Sequence, residues 1–257
     1  MPTQNTISSE IARELRSEIL RGHFREGERL PSERDLAARF SASRGAVREA
    51  LSQIEQLGLI AIKPGGARVQ PLRDARIAVL GPLMALHEIP DPKLLENFLH
   101  TFGALATLTA EEAISRGTSE QLNRLREQVV GIQNVSDDFA AQQQKWREFF
   151  SYLSEVADNL VVQLIGNDLK AQFVEQAMKL GITPVFRKRV MTQILAALKQ
   201  GLAKRDKDKV GSALRLYFQE LTLCMQQALA EFNPELQRAA GKRTTQYFQT
   251  VYFFETV

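Results

Sequence analysis

Two arginines spaced four residues apart give this chain a side-chain pair suited to reading nucleic acid. Arg44 and Arg48 lie at i and i+4 of a predicted helix, so both project from the same face. A guanidinium can hold O6 and N7 of guanine through two hydrogen bonds, which suits arginine to base edges in a major groove. A third arginine, Arg34, lies on the preceding predicted helix and is expected to point the same way. Together the three arginines predict a DNA-reading surface.

Small and polar residues beside these arginines are suited to the phosphate backbone. Ser32 and Ser43 are natural N-caps at the starts of the two predicted helices. Gly45 carries no side chain and so allows a phosphate to approach the helix N-terminus, where the helix dipole favours an anion. We therefore place Ser32, Ser43 and Gly45 among the candidate DNA-binding residues.

A β-prone segment after the second helix adds further cations. The stretch "LIAIKPGGARVQP" has two short β-prone runs around Gly65 and Gly66, a pattern that predicts a hairpin. Lys63 and Arg68 flank this turn and suit contacts with a minor groove or with phosphates.

The elements that must position these side chains follow one another closely. A helix is predicted over residues 7–20, and two short helices joined by a tight break follow it, the second ending at Gly58. Two short helices and then a hairpin predict a winged helix-turn-helix, whose second helix enters the major groove. The apolar residues expected to form the buried faces of these helices are Ile7, Ile11, Leu15, Ile19, Val47, Leu51 and Ile54.

An aromatic stripe forms the second candidate site. In "KWREFFSYL", residues 145–153, four large side chains share one helix face: Trp146, Phe149, Phe150 and Leu153. Trp146 is the only tryptophan of the chain. The stripe is typical either of an ordinary core or of a cavity wall, and the spacing does not separate the two.

Beyond Pro71 the chain reads as successive helices. The predicted fold class is mainly α, with an N-terminal winged helix-turn-helix followed by an all-helical bundle of about six helices. The six helical patterns span residues 94–116, 119–133, 137–157, 159–180, 185–205 and 207–232.

These patterns predict four parts of the chain. They are a winged helix-turn-helix DNA-binding domain at 1–72, a linker at 73–82, a helical effector-binding and dimerisation domain at 83–240, and an aromatic C-terminal tail at 241–257. The tail is expected to pack against the bundle or a dimer mate, with a lid over a ligand cavity as the alternative.

Composition limits the class of protein. Of the 257 residues, 44% are hydrophobic and 25% charged, which is typical of a globular protein, and the formal net charge of +3 makes any basic signal local. A single cysteine, Cys224, excludes an internal disulfide and fits a reducing cytoplasm. The apolar stretch at 77–86 is too short to cross a bilayer, so no membrane partner is expected.

Two other classes of function compete with DNA binding. An enzyme is not expected, because the sequence has no P-loop, no G-x-S-x-G motif and no metal cluster, and no cofactor is expected either. A winged helix used only for protein contacts would need no arginines on the recognition face, and here they are present.

The first of these regions carries a family resemblance. "LPSERDLAARFSASRGAVREALSQIEQLGLIAIKPGGARV" resembles the winged helix of the GntR family of bacterial transcriptional regulators over residues 10 to 70. The resemblance implies that Arg34, Arg44, Arg48 and Gly66 contact operator DNA. It also implies a homodimer that reads a short palindrome in double-stranded operator DNA.

The helical remainder resembles the FadR/FCD branch of that family. "FFSYLSEVADN" and "ILAALKQGLAKRDKDKV" are similar to motifs of this branch, whose members often hold a divalent metal with an aspartate and three histidines. Those ligand positions fall on Trp146, Phe150, Met191 and Tyr217, none of which is a usual ligand for such a metal. Phe98 stands where an arginine would often face a ligand carboxylate. The resemblance therefore implies a metal-free pocket lined by these five residues.

Several occupants of that pocket stay open. The effector is a hydrophobic or amphipathic molecule such as a fatty acyl chain or fatty acyl-CoA, or it is an aromatic metabolite stacked on Trp146 or Tyr217. Alternatively the cavity is filled by its own side chains and binds no small effector, or the regulator responds to a small carboxylate. A small carboxylate would need a partner cation, because burying it unpaired is costly.

Overall fold

A computed structural model describes residues 6–86, 91–135, 139–180 and 185–232. The chain folds as two compact units that divide between residues 88 and 89. The predicted tail at 241–257 lies outside the described residues.

Residues 6–56 of the first unit contain three α-helices. They are α1 (Ile7–Leu20), α2 (Glu33–Arg39) and α3 (Arg44–Gln56), and each begins at a hydroxyl cap whose oxygen accepts a backbone N–H. Ser32 Oγ accepts from Asp35 N at 3.2 Å, and Ser43 Oγ accepts from Ala46 N at the same distance. The predicted apolar positions other than Ile7, which is exposed, are buried in one core with Leu30, Leu36, Ala50 and Val69.

The sheet of this unit is larger than the predicted hairpin. Strands β1 (Ile60–Lys63) and β2 (Gly66–Val69) pair antiparallel. Residues 27–30 pair with the other edge of β2 through hydrogen bonds from Leu30 N to Ala67 O and from Gly27 N to Val69 O. Local patterns did not predict this pairing, because its hydrogen bonds join segments far apart in the chain.

A two-residue turn joins β1 and β2. Pro64 has its φ fixed by its ring, and Gly65 follows with a φ of +104°, the combination that a type II turn requires. Gly66 also has a positive φ, +115°. The predicted wing is therefore present and its turn depends on glycine.

Residues 71–86 form short helical turns within the first unit. Two 3₁₀ turns, Leu72–Asp74 and Ile77–Val79, precede α4 (Leu80–Met84). Val79 is buried in the first core and Leu83 packs against it. The expected linker at 73–82 thus has helical structure in this range, and the exact domain limits stay predictions.

The described residues of the second unit form six α-helices and no strand. The predicted helices lie within four residues of the observed ones because the end signals are local, such as Asp91 with Pro92 and the capping box of Thr118 with Gln121. The fold class is therefore confirmed. The helices are α5 (Pro92–Arg116), α6 (Ser119–Asn134), α7 (Phe139–Ala157), α8 (Leu160–Leu180), α9 (Lys188–Lys204) and α10 (Lys207–Phe232).

Glycines let α10 approach two of its neighbours closely. A Cβ on Gly103 of α5 would lie 2.9 Å from Cβ of Phe218, and a Cβ on Gly201 of α9 would lie 2.5 Å from Cγ2 of Val210. Both spacings are too short for a real side chain, so these positions require glycine for packing. In the described part of the chain, every helix is too short or too polar to span a bilayer.

Candidate nucleic-acid interface and the aromatic core

The face of α3 opposite the core carries the predicted arginines. Val47 and Ile54 are fully buried on the inner side of the helix, while Arg44 and Arg48 are exposed on the other. This division follows from the helical repeat, because residues three and four apart share a face. The geometry leaves both guanidinium groups accessible to a ligand that approaches α3.

Two carboxylates lie among these arginines. Arg48 Nε is 3.2 Å from Glu33 Oε1, and Arg34 Nε is 3.7 Å from Asp35 Oδ1. Arg34, Asp35 and Arg48 are exposed and Glu33 is half-buried, so the ion pairs are weak and a phosphate can replace the carboxylates. Arg44 forms no ion pair within the described ranges. It is therefore the arginine of this surface most available to DNA.

The cap residues hold the helix starts in place. Ser32 Oγ donates to Asp35 Oδ2 at 2.6 Å, and this hydrogen bond is the main cause of a lowered pKa at Asp35. At Gly45 the space that a Cβ would take is open, since the nearest atom, Ser43 Oγ, is 3.7 Å away. The N-terminus of α3 is thus unobstructed on this side, as the phosphate hypothesis requires.

The two predicted cations of the wing, Lys63 and Arg68, differ in their contacts. Lys63 is exposed and pairs in register with Gly66 across the hairpin. Arg68 is also exposed, and its Nη1–H donates to the Gly27 carbonyl at 3.0 Å. That bond holds the Arg68 guanidinium against the added third segment of the sheet.

Arg29 is a candidate site residue that sequence patterns did not reveal. It is exposed on residues 27–30, opposite Arg68, and its guanidinium lies over Gly66. The one local signal was the alternation of a charged Arg29 with the buried Leu30, which is too short to identify a strand.

Three of the predicted pocket residues meet in the core of the second unit. The ring centroids of Trp146 and Tyr217 are 4.3 Å apart, and Phe150 lies 5.5 Å from Trp146 and 6.1 Å from Tyr217. Trp146 is only 2% exposed and Tyr217 only 4%. Met191 is buried in the same core. Trp146, Phe150 and Tyr217 therefore form one aromatic cluster in this core.

This cluster does not fit the divalent metal of the FCD branch. The indole Nε1 of Trp146 can only donate, and it is buried without a hydrogen-bond partner in the described structure. Burial raises the pKa of Tyr217 above its ordinary range, so its phenol stays protonated and is a poor metal ligand. The described side chains also contain no group of three or more His, Cys, Asp or Glu suited to a metal ion.

Phe98 lies at the edge of the cluster rather than inside it. Its ring stacks on Phe102 at 6.1 Å, and Phe102 in turn contacts Phe218 at 5.6 Å. Phe102 and Phe150 also line a pocket of about 60 Å³ between α5, α7 and α8. A pocket of this size holds a few water molecules, not a drug-sized ligand.

Residues 185–187 attach to α10 beside the aromatic cluster, an arrangement that no sequence pattern predicted. Arg187 donates from its Nε–H and its backbone N–H to Glu220 Oε1, at 2.8 and 3.1 Å, and Glu220 is 1% exposed. Phe186 stacks on Tyr217 at 5.5 Å, and Cys224 Sγ donates to the carbonyl of Val185 at 3.0 Å. Burial, together with the nearby Glu220 charge, raises the pKa of Cys224 to about 11.

Comparison with known proteins finds a family match for each of the two units. Residues 7–69 match the bacterial regulatory proteins of the gntR family, and residues 99–220 match the FCD domain. The HTH-type transcriptional repressor NanR of Cronobacter sakazakii is 29% identical over 215 residues, which cover 82% of this chain and 82% of that protein.

Two further similarities agree with this match. The HTH-type transcriptional regulator Rv0494 of Mycobacterium tuberculosis is 30% identical over 165 residues, which cover 64% of this chain and 67% of that protein. The structure of Lar from Listeria monocytogenes aligns with a TM-score of 0.50 over 86% of this chain and 97% of Lar. Its sequence identity is 17%, so it bears on the fold alone.

Proposed function

Because the chain belongs to the gntR family of bacterial regulatory proteins and carries an FCD domain, we propose that it binds a palindromic operator as a homodimer. The members of this family are DNA-binding transcriptional regulators and not enzymes. Such a protein acts on DNA in the cytoplasm. Relatives named as repressors support repression as its mode of action.

The exposed arginines of α3 carry this proposal. Arg44 and Arg48 project from a helix whose other face is buried, so its outer face is free to enter a major groove. Arg34, Gly45 and the wing at Gly66 supply the flanking contacts. Two such units related by a two-fold axis would read half-sites about one DNA turn apart.

A titration with DNA tests the proposal. The probe is a labelled duplex enriched from a random-sequence pool by binding to the full chain, and fluorescence anisotropy gives Kd at several salt concentrations. Arg44→Ala is expected to weaken binding by about 1–3 kcal/mol and to relax base preference at one position. Failure to enrich any duplex, or binding that does not depend on salt, would overturn DNA binding.

For the second unit we adopt the hypothesis that its own side chains fill the core and that it binds no small effector. The short centroid distances around Trp146 support it, as does the small size of the pocket beside Phe150. On this hypothesis the protein binds no metal, and a small carboxylate finds no metal ion to hold it.

Two measurements test the filled-core hypothesis. Elemental analysis of the purified protein is expected to find no stoichiometric Zn, Ni or Mn. A thermal-shift screen against fatty acids, acyl-CoAs and aromatic acids is expected to leave Tm unchanged. A rise in Tm with a fatty acid or acyl-CoA would instead establish a hydrophobic or amphipathic effector.

A further inference from the structure

Three cations share the outer face of the wing sheet. Side chains alternate along a strand, and the buried Ala67 and Val69 define the inner face of β2. Arg68 therefore points outward, and so does Lys63, whose partner across the hairpin is Gly66. Arg29 is the direct partner of Arg68 on the other edge of β2 and lies on the same face.

The arrangement concentrates positive charge without neutralising it. Like charges placed directly opposite each other in a sheet are unfavourable, so Arg29 and Arg68 repel. Arg68 donates to a backbone carbonyl, which supplies no negative charge. Within the residues that the structure describes, neither Arg29 nor Lys63 forms an ion pair. An anion bound at this face would remove the repulsion.

Gly66 gives Arg29 its position. A Cβ on Gly66 would lie 2.7 Å from Nε of Arg29 and 3.3 Å from its Cζ, so the guanidinium rests where a larger residue would place its side chain. Backbone hydrogen bonds from Leu30 N to Ala67 O and from Val69 N to Glu28 O fix the segment that carries Arg29. The guanidinium is thus held at the wing by the sheet itself.

We propose that Arg29 is a DNA-contact residue of the wing, which binds a backbone phosphate together with Lys63. This assignment rests on the proposed DNA binding and extends it to a residue outside the helix-turn-helix. A planar guanidinium can hold two phosphate oxygens at once, and the space over Gly66 is taken by the guanidinium of Arg29 itself. The contact positions the wing and reads no base.

The test compares Arg29→Ala with the wild-type full chain in the same anisotropy titration. Loss of one charged hydrogen-bonded contact is expected to raise Kd roughly tenfold. The slope of log K against log salt should fall by about 1 for each Arg29 lost. Both changes should be the same on the enriched duplex and on a duplex of unrelated sequence, because a phosphate contact does not depend on sequence.

Matched variants separate the loss of this phosphate contact from a general loss of positive charge and from unfolding. Arg126→Ala removes an equal charge from α6 in the second unit and should leave Kd and slope unchanged. Arg29→Lys keeps the charge and should retain the slope while losing part of the affinity. Thermal unfolding of each variant shows whether the first unit is intact.

Three outcomes are informative. If Arg29→Ala leaves Kd and slope unchanged while Arg44→Ala weakens binding, the Arg29 assignment is wrong and the proposed function stands. If Arg29→Ala weakens only the enriched duplex, the residue reads a base and the phosphate assignment is wrong. If the wild-type chain shows no salt-dependent binding to either duplex, the proposed function itself fails.

Discussion

Replacing Trp146 with alanine tests whether the core of the second unit is filled. The indole is 2% exposed and contacts the rings of Phe149, Phe150 and Tyr217 at 5.7, 5.5 and 4.3 Å. Truncation of a buried Trp or Phe to Ala generally costs about 3–5 kcal/mol. Since Nε1 has no hydrogen-bond partner in the described structure, the loss is one of packing alone.

These values set the size of the expected effect. For a chain of this length, about 1 kcal/mol corresponds to roughly 2–4 °C in Tm, so Trp146→Ala should lower Tm by roughly 6–20 °C. The cavity left behind is apolar, and apolar cavities of about 150 Å³ in proteins bind benzene-sized molecules. Indole at about 100 times its Kd should therefore restore about 2.7 kcal/mol of stability to the variant.

Differential scanning calorimetry with and without indole measures both effects. Trp146→Phe is the matched control, because it keeps an aromatic ring and leaves a much smaller void. Wild-type protein should gain no stability from indole. The filled-core reasoning is refuted if Trp146→Ala costs less than about 1 kcal/mol, or if indole stabilises the wild-type protein as much as the variant.

Two other predictions concern packing and pH. Gly201→Ala should destabilise the protein by about 1–3 kcal/mol in urea unfolding, because its Cβ would lie 2.5 Å from Val210; an unchanged midpoint would contradict this contact. A hydrogen bond from Arg39 lowers the pKa of Glu18. The stabilisation that this ion pair gives the fold is therefore present above the unfolded-state pKa of Glu18, and it is lost as pH falls through the lower folded-state pKa. Glu18→Gln should flatten that acid limb of Tm against pH, and an unaltered profile would show that the pair contributes nothing.

The predictable part of this protein is the part that local signals determine. The start of α3 follows from Ser43 and its apolar face from the spacing of Val47 and Ile54, so the exposure of Arg44 and Arg48 could be predicted from the sequence. The helices of the second unit were predictable for the same reason.

The packing of the aromatic cluster could be predicted from the sequence only in part. A family resemblance placed Trp146, Phe150 and Tyr217 at related positions, and the structure brings their rings together. Phe98, predicted by the same route, lies at the edge and reaches the cluster through other rings. An alignment gives a position along a helix, but packing decides which neighbour each side chain contacts.

The order of the elements, their caps and the buried faces of the helices follow from the sequence, because they depend on residues within a few positions of one another. Three contacts depend instead on the folded chain: residues 27–30 join the wing sheet, Arg29 lies over Gly66, and Arg187 binds the buried Glu220. These contacts join segments far apart in the chain. Their free energy depends on burial and on directional hydrogen bonds, which exist only after the chain has folded.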